Sequence, residues 1–543
     1  MLRYVQKENN AKQLKVKLLP IKFKITCLNI KRAKMIKNSS FKICLSIFCF
    51  FWAFFALTNC GFDYAEGSFH YKLAEHIVTT GELGFDTPQE GIFSIAPNGR
   101  TYASQEIGNT IFFLPTAFFN VILERILSPF TTVKAISITK EFIRSFQPGF
   151  YSALTITAFF GILRFQFGQA ILPSFLATLS LAISTYFWTY TRESFDGVLC
   201  STLLTTSFLL LLNFRNNKKN QYLILAFICL GFSLITRISM ILAIVASLGY
   251  LVLISRPSLI SRVKNVATAL LIIFPFLVWQ SWYNHLRTGF FHLSPVQTDA
   301  KYLANNALDG NIFIGLTGLL LSPGKSLFIY APLLILSVVL FRKFFKEHKK
   351  EALYILVLTI AWFLLHARLR SWYGGGGWGP RYLVTIIPIL FLPFATNMEY
   401  VLQRTSLRLS AIFLAGFGFI ISLSSIISHW YWRLEFARKD EVAYVWKFSN
   451  SQSLDMLKSA ARNLLTSFKI ATHSPGIQNQ NLWYLNSGIE AYGSHTVNLW
   501  PNSLVFIGIP WYLVATSVAF LLLMMYLSIR KIFNLEVISK MAD

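Results

Sequence analysis

Charge is scarce in this sequence. Only 14% of its 543 residues are Asp, Glu, Lys or Arg, against about 25% in an ordinary soluble domain. With 54% hydrophobic residues and a mean hydropathy of +0.51, that scarcity excludes a water-soluble globule. Acids are scarcer still, 24 against 50 basic residues, for a formal net charge of +26. So basic a balance could signal nucleic acid, but the Lys and Arg fall in short clusters between apolar runs. That is the pattern of cytoplasmic loops near anionic lipid, so no nucleic-acid partner is expected. The six cysteines, Cys27, Cys44, Cys49, Cys60, Cys200 and Cys229, show no CxxC spacing, which argues against a disulfide framework and a zinc site. Repeats, low-complexity tracts, P-loop spacing and histidine pairs at metal-binding intervals are lacking too.

What the chain has in abundance is long apolar stretches, 51 Phe and 13 Trp, which suit a lipid-facing surface with interfacial belts. Residues 1–42 hold twelve Lys or Arg and one acid, Glu8, and read as a basic cytoplasmic tail; Met35 offers an alternative start. The expected fold is an all-α polytopic bundle. Twelve spans are predicted, near 43–59, 148–163, 170–188, 196–213, 221–236, 238–254, 265–282, 327–341, 351–366, 382–397, 407–428 and 504–529. Residues 107–128 are apolar enough to span, but Pro115 interrupts them and Glu124-Arg125 ends them early. If they crossed, the basic loops 214–220, 255–265 and 341–350 would lie outside. The positive-inside bias favours a helix lying in the outer interface. The stretch 311–324 reads as a second interfacial or re-entrant piece. The chain then divides into the tail 1–42, a membrane core 43–430 with a catalytic outer loop 60–147, an outer segment 431–503, and a last helix with its tail, 504–543.

On the outer side, Asp63 and Glu66 stand three residues apart just after the first span. On a helical turn both would face one way, and paired acids beside a bilayer are costly to place. They are candidate catalytic carboxylates, or equally solvated loop acids and caps for the helix beginning near Gly67. Arg192, Arg237, Lys325, Arg368 and Arg381 sit at outer span ends, against the positive-inside trend. Singly each could be a snorkelling or paired residue. As a converging set they suggest a phosphate site. The run 371–383, SWYGGGGWGPRYL, is the most specific. Its glycines allow close backbone approach or an anion-binding nest. Trp372, Tyr373 and Trp378 offer faces for a sugar or prenyl chain, and Pro380 leads into a helix with Arg381 at its mouth. A tight hairpin between two spans is the plainer alternative.

These motifs resemble a family. The acidic first loop followed by Ala74-Glu75 and Thr80-Gly81 looks like the polytopic glycosyltransferases of the GT-C fold. The nearest are bacterial members related to protein O-mannosyltransferases and to the lipid A aminoarabinose transferase. Counting back from Gly81 places the family's leading catalytic acid on Glu66. The usual second acid falls on Gly67, a departure for which Asp63 could compensate, so the identity of the base stays open between them. NGRTYASQEIGNTIFFLP (98–115), with Glu106, TYTRESFD (189–196), with Asp196, LITRIS (234–239), LSPGKSLFIYAPL (321–333) and the GGWGPRYL motif also resemble recurrent family segments. Glu106 and Asp196 are taken as substrate-binding. The resemblance spans about 55–430.

It implies a sugar donor carried on a polyprenyl phosphate, a glycan, lipid or protein acceptor, inverting transfer, and an active site on the outer face of a bacterial inner membrane. The chemistry fits the residues. A first-loop carboxylate would take the acceptor proton, and Arg381 and Lys325, backed by Arg192, Arg237 and Arg368, would stabilise the leaving phosphate. No cofactor and no obligatory metal are expected. A transporter or flippase would need polar breaks within the spans and related halves, and a non-catalytic assembly protein would need neither Glu66 nor Arg381.

Overall fold

The computed structural model describes residues 40–62, 67–89, 93–293, 307–428, 441–473, 496–506 and 508–542. Asp63, Glu66 and the tail 1–39 lie outside the described residues. The protein is an all-helical membrane bundle with one two-stranded hairpin among the described residues. Among the described residues, eight helices are long and apolar enough to cross a membrane: α1 (Ser40–Leu57), α3 (Gly108–Leu127), the joined α4–α5 (Val133–Gln166), α7 (Asp196–Asn217), α10 (Leu259–Thr288), α13 (Lys349–Arg368), α15 (Thr405–Ile427) and the apolar part of α17 (Trp511–Ala542). Between these come α2 (Gly67–Thr80) and the shorter apolar helices α6 (Ile171–Ile183), α8 (Asn220–Thr236), α9 (Ile241–Ile254), α11 (Ile312–Leu321) and α14 (Ile387–Ala395). Helices α12 (Leu334–Glu347) and α16 (Gln452–His473) are less apolar, and several helices of one or two turns link these elements.

Several predicted spans are interrupted in the structure. The stretch 327–341 is a one-turn helix, Leu327–Tyr330, and then α12, which runs on to Glu347. Pro332 between them has no N–H to donate and cannot continue the first piece. The span near 170–188 stops at Ile183 and resumes as one turn, Phe187–Tyr190. Near 504–529 the helix Trp500–Phe506 ends and α17 begins after Gly508 and Pro510. The span 382–397 opens with a 3-10 stretch, Arg381–Ile386. Conversely, 265–282 is the middle of a 30-residue helix, α10, which Ser258 caps and Gly289, at φ +80°, ends.

The stretch between α1 and α4 is ordered by close packing. Strands β1 (Phe93–Ile95) and β2 (Thr101–Ala103) pair antiparallel, with Ser94 opposite Tyr102. Helix α2 packs along α3, where Tyr71 meets Phe113 edge-on and Asn120 donates to the Tyr71 hydroxyl at 2.7 Å. Helix α3 turns Phe118, Phe119, Ile122 and Ile126 outward, an apolar stripe suited to lipid.

Three glycines set how this loop meets the bundle. A Cβ on Gly67 would lie 2.0 Å from Ser194 Cβ, one on Gly108 2.6 Å from Thr236 Cα, and one on Gly197 2.7 Å from Val384 Cγ1. The start of α2, the start of α3, the end of α8, the start of α7 and the 381–386 stretch therefore meet at one end of the bundle, here called the site end. Helix α7 carries Asp196 at that end and Arg215 in its last turn. Its 22 residues separate the two by about 30 Å.

Candidate functional site

Tyr382 is the centre of the site end. Its backbone carbonyl accepts from Trp362 Nε1 at 2.9 Å, and its ring lies beside His366, with centroids 5.3 Å apart. Arg237 and Arg381 each place a guanidinium 5.1 Å from that same ring. Arg381 also lies over Phe195, at 5.4 Å. Two cations on one ring repel, and the ring's negative face only partly offsets that.

Each arginine is presented by a local break in regular structure. Arg237 is extended, at φ −157° and ψ 118°, between the end of α8 and the 3-10 turn Ile238–Met240. Its Nη1 reaches Asp196 Oδ1 at 3.5 Å. Arg381 follows the glycine run. A Cβ on Gly374 would lie 2.7 Å from Arg381 Cγ, and one on Gly377 2.4 Å from Arg381 Cδ. The glycines thus admit the arginine's own methylene stem, a closer approach than any other residue would permit. Gly379, at φ +55°, does the same for the Tyr330 ring, 2.8 Å from its absent Cβ.

Glu106 lies buried nearby, between β2 and α3. Burial pushes its carboxyl above the ordinary range, and Arg287 is the strongest opposing influence, with Asp196 and Arg237 also felt. Arg287 itself pins the approach to Glu106, donating to the carbonyls of Ala103 at 3.0 Å and Gln105 at 2.6 Å. Gly67, the first described residue after the candidate acids, packs on Ser194, two positions before Asp196. Asn109 donates to the Ser194 carbonyl at 3.1 Å.

Of the residues singled out from sequence, the structure brings Arg237, Arg381, Asp196 and Glu106 together. The others lie differently. Arg192 is buried with its guanidinium on backbone carbonyls, Ile426 at 2.7 Å and Asn498 at 2.6 Å, which staples α15 to the 496–506 segment. Lys325 is fully buried, with Nζ on the carbonyls of Gly377 at 2.5 Å and Gly375 at 3.3 Å. Arg368 donates to the Gly310 carbonyl at 2.8 Å, next to an Arg370–Asp309 ion pair. Trp378 is core: it meets Tyr330 edge-on at 5.0 Å, and its carbonyl accepts from Tyr190 at 2.7 Å. Trp372 packs on Gly318 and 5.9 Å from Trp446, with Tyr373 at its edge.

The sequence reading passed over Tyr382 and His366 as site residues. Tyr382 had a signal, since it follows Arg381 directly in the glycine motif. His366 had none beyond its place at a span end. Among the described residues no group of three or more His, Cys, Asp or Glu could hold a metal ion.

Residues 145–282 match the family model described as dolichyl-phosphate-mannose-protein mannosyltransferase. The matched stretch includes Arg192, Asp196 and Arg237; Arg381 and the first-loop acids lie outside it. No curated protein matches the sequence. Among solved structures, the archaeal oligosaccharyltransferase AglB from Archaeoglobus fulgidus, in complex with an inhibitory peptide and a dolichol-phosphate, is similar at 12% identity and a TM-score of 0.42. That likeness covers 73% of this chain and 55% of the other, so the chain spans about half of AglB, and so loose a similarity carries no argument. The family match bears out the resemblance read from the sequence: over residues 145–282 this chain is similar to the dolichyl-phosphate-mannose-protein mannosyltransferases, which supports a membrane glycosyltransferase.

Proposed function

We propose that the protein transfers a sugar from a polyprenyl-phosphate donor to an acceptor hydroxyl at the outer face of the membrane. The observation that carries this reading is the pair Arg237 and Arg381 on the two approaches to Tyr382. Guanidinium forks fit the oxygens of a phosphate, and ring faces and a glycine cast orient these two. Glu66 is the preferred general base, with Asp63 the alternative. The base takes the acceptor proton as that oxygen attacks the anomeric carbon. The bond from that carbon to the phosphate oxygen breaks on the opposite face, and its electron pair leaves with the lipid phosphate. Attack opposite the leaving group inverts the anomeric centre, and Arg381 with Arg237 stabilises the departing charge. Glu106 and Asp196 line the approach to the donor sugar. In the membrane, both termini and the loop 341–350 are cytoplasmic and α3 lies along the outer interface, as the basic-loop bias favours.

The test is transfer from a panel of radiolabelled polyprenyl-phosphate sugars by purified protein. Arg381→Ala should lower turnover roughly 10²- to 10³-fold, and Arg381→Lys should recover only part of it. Glu66→Gln should abolish transfer while donor binding persists, with Asp63→Asn less impaired. If Asp63→Asn alone is dead, the base is Asp63. If both acid variants keep full turnover, the first loop is not the catalytic centre and the mechanism fails.

A further inference from the structure

We infer that Gln452, from the outer segment after α15, is a positioning residue of the donor site that acts on Arg381 through the glycine loop 374–379. The inference rests on the assignment of Arg381 to the donor phosphate. A loop with Gly374, Gly375 and Gly379 all at positive φ has many unfolded conformers to give up. Left to itself it would not hold an arginine stem within van der Waals contact.

Its backbone is anchored from several sides. Lys325 takes the carbonyls of Gly375 and Gly377. Tyr190 donates to the Trp378 carbonyl at 2.7 Å, and Tyr186 to that of Pro380 at 3.2 Å. Gln452 brackets Trp378: its Nε2 donates to the Gly377 carbonyl at 3.2 Å, and its Oε1 accepts from the Gly379 N–H at 3.0 Å. It is 2% exposed, and its Oε1 also accepts from the Tyr330 hydroxyl at 3.4 Å.

The stretch around it is docked as well. Gly324 N–H donates to the Val445 carbonyl at 3.0 Å, and Ser453 Oγ to that of Pro323 at 3.4 Å. One primary amide thus satisfies a donor and an acceptor two residues apart on the loop, and Gly377 is the residue whose missing Cβ makes room for Arg381 Cδ. A shift of the loop at 377 is a shift of the guanidinium. The outer segment, far in sequence from the family match at 145–282, is thereby part of the site.

The experiment is a double-mutant cycle on the full-length protein, reading binding of polyprenyl phosphate and of a polyprenyl-phosphate sugar, with KM for donor and acceptor. Gln452→Met should weaken donor affinity about tenfold, the loss of roughly one buried hydrogen bond, and leave the acceptor KM unchanged. Gln452→Glu keeps the acceptor oxygen for Gly379 and should recover part of the loss. In an Arg381→Ala background, Gln452→Met should cost no further donor affinity. Losses that multiply, or a folded Gln452→Met protein with wild-type affinity, overturn this inference alone. Wild-type affinity in Arg381→Ala itself overturns the donor-site reading, and this inference with it.

Discussion

Arg215 and Arg237 sit at helix ends on opposite sides of the bundle and are held in opposite ways. At the far end, Arg215 Nη1 meets Glu351 Oε1 at 2.5 Å, and the Tyr250 hydroxyl donates to the same oxygen at 2.6 Å. That carboxylate is 4% exposed and ties three helices together. At the site end, Arg237 Nη1 pairs with the Asp196 carboxylate at 3.5 Å, and the ring of Tyr382 lies 5.1 Å from the guanidinium of both Arg237 and Arg381. A guanidinium locked by a carboxylate has its donors occupied. One that lies on a ring face, with its methylene stem held in a glycine cast, has its direction set by those contacts. The same residue type ties helices together at one end and, under the proposed function, meets a phosphate at the other.

The contrast can be broken by removing the acid at the far end. Glu351→Ala leaves Arg215 and Tyr250 without the oxygen they share and should cost about 3 kcal/mol of stability. Thermal unfolding checks it, and the folded fraction should keep wild-type donor affinity. A loss of affinity without a loss of stability would put the far end in the reaction and erase the distinction.

Gly377→Ala probes the cast around Arg381. Its Cβ would lie 2.4 Å from Arg381 Cδ, so the stem must move, and turnover should fall at least about tenfold. Gly416→Ala, in α15 with nothing within 4 Å of the added atom, is the control and should change nothing. Equal turnover for the two variants would show that the cast does not set the arginine.

Glu106 sharpens the comparison through pH. Burial raises its carboxyl above the ordinary range. A group raised on folding favours the fold below its unfolded pKa, near 4.3, and that contribution is lost as pH climbs through the folded value. Glu106→Gln should therefore gain in thermal midpoint over the wild type as pH rises from about 4 to 8, by a few degrees. A difference that stays flat with pH would place the carboxyl in a solvated setting. The smallest effect belongs to Arg370→Ala. Its partner Asp309 has its carboxyl held below the usual range by the Arg370 hydrogen bond, but both side chains are about half exposed. Such a pair contributes little, and neither midpoint nor turnover should move measurably.

Much of the scaffold was legible because lipid imposes long apolar helices, and the stretches around 43–59, 196–213 and 407–428 fall within α1, α7 and α15 or extend them by a residue or two. The breaks were less legible. Pro332 was in plain view, yet the apolar run around it reads as continuous, because hydropathy averages over the turn that proline interrupts. At the site, residue type carried the arginines: cations at span ends against the positive-inside trend stood out as a set, though not singly. What sequence does not encode locally is which costs share a cause. Arg237 and Arg381 converge because Gly197 lets α7 approach Val384, a contact between distant stretches. Lys325 and Arg192 looked the same in sequence, but their charges are matched by carbonyls that only the folded chain supplies. The glycines of 374–379 signalled close approach, without saying that the approaching group was the arginine a few residues on. Gln452 gave no signal, since a lone glutamine at a helix start is common.

The contact between Gly67 and Ser194 bears on how such sites change over generations. A side chain at position 67 would begin 2.0 Å from Ser194 Cβ. The two positions are therefore not independent, and the order of change matters. Gly67→Glu introduced first meets a blocked path, whereas Ser194→Gly introduced first removes the nearest obstacle and leaves the backbone oxygen of position 194, 2.9 Å from the added Cβ, to be accommodated. With serine at 194, position 67 is held to glycine, and any route to a side chain there runs through position 194.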